Sequence, residues 1–107
     1  MDQNQKIIKH YINELNKRNF SILDEMLAKE IFVNSEKISK SQYKQNILDR
    51  IAQFPDYKVE IKKMETKEGA VILYWHRTGV NPKTGEVLNE DLTSEYQIKD
   101  GKICGVD

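Results

Sequence analysis

The chain has 107 residues, 38% hydrophobic and 32% charged, enough for one domain (1–107) with one modest core and no second site-bearing layer. Basic and acidic residues number 17 each; they are interspersed and sum to zero charge, which argues against a nucleic-acid partner and its basic stripe. One cysteine, Cys104, excludes an intrachain disulfide, and the absence of an apolar leader or a membrane-length apolar stretch sets the expectation of a cytoplasmic chain with no membrane partner.

Residues 3 to 17 read as a helix, because Ile7, Ile8, Tyr11, Ile12 and Leu15 form one apolar stripe. Asn19 suits the left-handed position that ends it. Ser21 then has N-cap character, with Asp24 at the box position, for a short helix over 21–28 that buries Leu23, Met26 and Leu27. "IFVNS" (31–35) reads as a short strand. Ser39 and Gln42 have capping-box spacing and open a third helix, whose Tyr43, Ile47, Ile51 and Phe54 share a face until Pro55 stops it. The remainder alternates as strands: Tyr57, Val59 and Ile61 in the first, the dense "AVILYWHRT" in the second, and Leu92, Ser94, Tyr96 and Ile98 on one face of the third. "YQIKDGKICGVD" closes with a hairpin turned at Asp100-Gly101, where both turn positions favour positive φ. Helices first and antiparallel strands after them predict an α+β fold, with helices covering one face of a curved sheet.

Four segments in this order carry a resemblance: "YINELNKRNFSILDEMLAKEIFVNS", "FPDYKVEI", "VILYWHRTG" and "YQIKDGKI". Together they resemble the nuclear transport factor 2-like superfamily, within it the SnoaL-like proteins and more distantly the ketosteroid isomerases. The resemblance implies a cone-shaped, cystatin-like α+β barrel. A strongly bent antiparallel sheet wraps the helices and encloses a pocket open at one end. Many members dimerise through the outer sheet face. The superfamily spans catalysts and binding modules, so the fold alone does not decide function.

Proton-moving members use pocket carboxylates, a base beside a carbon acid and a donor to the developing oxyanion. Carried over residue by residue, the isomerase base falls at Ser35, the oxyanion-side acid at Ser94, and the donor tyrosine at Tyr11. Neither serine can take a carbon-bound proton at neutral pH without a base beside it. The acid of SnoaL-like cyclases falls one residue past Asp107, and a one-residue slip would place it at Asp107; the expectation is that it is missing. If Trp75 faces the pocket, as the resemblance implies, Leu73 does too, and Ile72, Tyr74 and His76 face outward. Tyr11, Ser35, Phe54, Leu73, Trp75, Ser94 and Tyr96 are therefore the expected pocket. His10 reads as solvated and Cys104 as a small core residue. Two distant histidines and one cysteine give no metal-ligand spacing, and no cofactor is expected.

Apolar residues on both faces of "VILYWHR" call for a cover over Ile72, Tyr74 and His76, for which a second copy is the simplest candidate. The missing carboxylates favour a dimeric module that binds a small hydrophobic molecule. The alternative is an isomerase or cyclase-like enzyme acting on a small hydrophobic carbonyl compound. A third reading uses the outer face for a different protein partner.

Overall fold

The computed structural model describes residues 2–107, and its first helix, α1 (Gln3–Asn16), begins where Asp2 caps it by accepting from the Gln5 amide at 2.8 Å. Ile8, Tyr11 and Ile12 on its apolar stripe are buried, while His10 on the other side is exposed. The helix ends at Arg18, with φ 66, one residue before the expected Asn19. The Arg18 side chain repays that conformation by donating to the carbonyls of Leu15, Pro55 and Tyr57.

A short helix α2 (Ser21–Met26) follows. Ser21 is not its cap: Phe20 holds that place in helical conformation, and Ser21 Oγ donates instead to Asn19 Oδ1 at 2.8 Å. The helix stops two residues earlier than expected, because Leu27 is already extended and pairs with Ile103. Strand β1 (Leu27–Val33) turns through Asn34 and Ser35, both at positive φ, into β2 (Glu36–Ser39). This hairpin was not foreseen. Helix α3 (Lys40–Gln53) starts as expected, with Ser39 Oγ accepting from the Gln42 amide.

Strands β3 (Lys58–Lys67), β4 (Ala70–Val80), β5 (Val87–Lys99) and β6 (Lys102–Val106) form an antiparallel meander. Asp100 and Gly101, at φ 53 and 76, make the last turn as the sequence predicts. Six strands join one sheet in the order β2-β1-β6-β5-β4-β3. The pairing of β1 with β6 is parallel, so the sheet is mixed and not wholly antiparallel. A parallel contact between distant segments leaves no local turn signal to read. Register shifts interrupt β3 between Ile61 and Lys63 and β5 between Gln97 and Ile98; such bulges bend strands and deepen the sheet's twist.

The helices lie on the concave face. Ile8, Tyr11 and Ile12 of α1 pack with Ile22 and Leu23 of α2 against Leu27, Ile31, Val59, Val71, Leu73, Tyr96 and Ile103. Asn16 ties α1 to β3, donating to the Val59 carbonyl and accepting from its amide. No helix among the described residues is long and apolar enough to cross a membrane.

Candidate functional site

Between α1, α3 and the concave sheet lies a cavity of about 210 Å³. It exceeds the roughly 150 Å³ that accommodates benzene and falls short of the roughly 300–1,000 Å³ usual for drug-sized ligands. One or two fused rings match that volume.

Its walls follow from the periodicities. On β4 and β5, alternation turns Trp75, Ser94 and Tyr96 inward. On α3, Tyr43, Asn46, Ile47 and Arg50 recur every three or four residues and face the same space. Tyr11 and Leu15 come from α1, and Tyr57 and Val59 enter at the start of β3. Four tyrosines and one tryptophan thus meet aliphatic side chains around the cavity. No aspartate, glutamate or histidine among the described residues lines it.

The polar groups are arranged as donors. Trp75 Nε1 donates to Ser94 Oγ at 3.0 Å, which leaves the serine proton free. Tyr11 of α1 and Tyr43 of α3 border the same space, close enough for their phenols to interact. Burial pushes the Tyr43 phenol up to about 12. Burial also pushes Tyr11 and Tyr96 well above the ordinary tyrosine value, reinforced by neighbouring tyrosines. These phenols stay protonated at neutral pH and act as donors, not bases. Tyr96, on β5, borders the same space. Tyr57 lies beside Arg77, whose guanidinium is ion-paired with Glu90. The arrangement suits a carbonyl oxygen or a developing oxyanion; it contains no group that takes a carbon-bound proton at neutral pH.

Of the residues expected in the pocket, Tyr11, Trp75, Ser94 and Tyr96 meet at this cavity. Ser35, Phe54 and Leu73 do not. Ser35 sits at the exposed tip of the β1–β2 turn, because its positive φ ends the strand there. It borders an outer-face groove with Phe32, Gln97, Cys104, Gly105 and Asp107. Phe54 has left the helical stripe: it is the non-helical residue after α3 and packs against Gly79, where an added Cβ would lie 3.1 Å from its own. Leu73 is fully buried in the core behind the cavity wall. Asp107 also lies outside the cavity. Its backbone pairs with Glu95, and its carboxylate faces Gln97 on the outer side of the sheet.

Tyr43, Asn46, Arg50 and Tyr57 were missed. The signal was the spacing of Tyr43, Ile47 and Arg50, an apolar helical stripe that ends in a cation. His76 stands on the outer face, its ring nitrogens 2.7 Å from Asp91 Oδ1 and 2.6 Å from Asn89 Oδ1. The bonds to Asp91 and Asn89 raise its pKa. Among the described residues no cluster of three histidine, cysteine or acidic side chains could hold a metal ion.

Solved structures share this architecture at low identity. A SnoaL-like polyketide cyclase from Agrobacterium tumefaciens superposes with a TM-score of 0.87 at 18% identity, over 99% of this chain and 89% of that one. A cystatin-fold protein from Novosphingobium aromaticivorans gives 0.83 at 17%, over 99% and 97%. TsrD from Streptomyces laurentii gives 0.82 at 14%, over 100% and 88%. At these identities the likeness establishes the fold. No curated protein matches the chain in sequence. The sequence pattern of one family covers residues 5–106, nearly the whole chain, and by that match the protein belongs to the SnoaL-like polyketide cyclase family.

Proposed function

We propose that this protein is a dimeric binding or accessory module that holds a small aromatic or apolar carbonyl compound in the cone cavity. The observation that carries this reading is the cavity wall, with four tyrosines and a tryptophan but, among the described residues, no carboxylate or histidine. Aromatic faces supply affinity, and the protonated phenols of Tyr43 and Tyr96 orient a carbonyl oxygen. The volume favours one or two rings over a steroid or a multi-ring polyketide.

The chain has one tryptophan, so its emission reports on this wall alone. 2-Acetylnaphthalene should change Trp75 emission saturably and raise the thermal midpoint. Tyr96→Phe should keep the fold, because it removes only the hydroxyl and keeps the ring, yet weaken binding by roughly three- to tenfold, the range for one hydrogen bond. Unchanged emission and midpoint across one- and two-ring ketones would refute the reading.

Family membership and the donor array favour a second reading, an isomerase or cyclase-like enzyme. It requires a base supplied from outside the cavity wall. Accelerated exchange of the ketone's α-hydrogens in deuterium oxide, abolished in Tyr11→Phe, would replace the binding reading with this one.

A further inference from the structure

Resting on the binding reading above, we propose that the cavity selects aromatic carboxylates over neutral molecules of the same shape, with Arg50 at its mouth as the selecting residue. Among the described residues, Arg50 is the only charged side chain lining the cavity. It lies on the exposed edge of the last turn of α3, and no carboxylate among the described residues is paired with it. Arg77 provides the contrast: its guanidinium is neutralised by Glu90.

One turn before Arg50, Asn46 borders the same cavity. Its Oδ1 already accepts from Gln42 Nε2 at 2.8 Å, so its amide hydrogens remain to be donated. Tyr43, on the same face of α3, borders the cavity with a phenol that burial keeps protonated. The rim along α3 therefore offers a guanidinium, an amide and a phenol, all as donors. A carboxylate only accepts, and a guanidinium can grip it with two parallel bonds. A ring system seated against Trp75 and Tyr96 would leave a carboxylate at its end within the reach of that rim.

The test compares 2-naphthoate with 2-acetylnaphthalene, two molecules of the same ring system and nearly the same shape, by calorimetry at neutral pH. The acid should bind on the order of tenfold more tightly than the ketone, as a charge-assisted contact implies. Arg50→Met should erase that difference by weakening the acid on the order of tenfold more than the ketone, while leaving the thermal midpoint of the free protein unchanged. Equal affinities for acid and ketone, or a preference that survives in Arg50→Met, would overturn the selectivity while the binding reading stands. Failure of both molecules to bind would overturn both.

Discussion

Arg18 carries two opposed terms. A left-handed conformation costs a side-chain-bearing residue about 1–2 kcal/mol, and Arg18 adopts it at φ 66. Its guanidinium offsets this by donating to four backbone carbonyls, at 3.2 Å to Leu15, 3.5 Å to Asn16, 3.1 Å to Pro55 and 2.6 Å to Tyr57. The last two belong to the segment that delivers Tyr57 to the cavity. Arg18→Ala keeps the strain and loses the bonds, so it should destabilise by about 2–3 kcal/mol. Arg18→Gly loses the same bonds but relieves the strain, so it should cost about 1 kcal/mol less than the alanine variant. Urea unfolding of the two variants checks the order; an alanine variant as stable as the parent would show that the bonds contribute nothing. Other single residues were legible from sequence. Ser39 caps α3, and Asp100-Gly101 turns the last hairpin, because each acts through backbone groups within three residues. Phe54 was not legible, since one non-helical residue after α3 takes its ring off the stripe.

At the scale of elements, the outer face of β4 answers the two-sided pattern of "VILYWHR" in part by itself. Lys63 lies over the Tyr74 ring, 5.6 Å from its centroid, and Tyr74 donates to Glu65 at 3.4 Å. Lys63 and Glu65 are themselves ion-paired, and Lys67 reaches Glu95 beside Ile72. Long charged side chains cover apolar surface with their stems in this way. Phe32 on β1 remains half exposed over the same face. We propose that a second copy covers Ile72, Tyr74 and Phe32. Sedimentation velocity at micromolar concentration should then give a dimer, and Tyr74→Glu a folded monomer. A parent protein that sediments as a monomer would remove the proposal. The α1 stripe and the long strands were readable because a buried face imposes a period of 3.6 or 2. The β1–β2 hairpin was not: "EKIS" offers only Ile38 to a core, and Asn34-Ser35 is a weaker turn signal than Asn-Gly.

For the whole molecule, the buried phenols set an alkaline limit. Tyr11, Tyr43 and Tyr96 are three of the five tyrosines, and all have values raised above 10.0. A raised value means that the folded state keeps protons the unfolded chain gives up. Their stabilising contribution is complete below about pH 10 and is lost as pH climbs towards and past about 12. Within that window each phenol lowers stability by up to about 1.4 kcal/mol per pH unit. Urea midpoints should stay level as pH approaches about 9.5 and then fall steeply, with the phenolate absorbance contributed by Tyr11, Tyr43 and Tyr96 rising only as the protein unfolds. Tyr96→Phe should flatten the fall; an unaltered slope would mean that Tyr96 ionises without unfolding the chain. Which tyrosines gather around one cavity was only half visible in the sequence. Each of the four sits on a face that the sequence shows, but that the faces of α3 and of the segment entering β3 border the same space as Tyr11 and Tyr96 is set by the packing of α3 across the sheet.

The strand order also governs when the fold can be completed. β6, which follows the other five strands, lies between β1 and β5, and Leu27 pairs with Ile103. During synthesis the β1–β2 hairpin must wait for β6 before it joins the meander. Until then an edge of β1 stays unpaired, and the apolar side chains of α2 lack part of the surface they will bury against. Closure across so long a separation is slow compared with helix or hairpin formation. The interval before residues 102–106 arrive is therefore when the nascent chain is most exposed to aggregation and has most use for a chaperone.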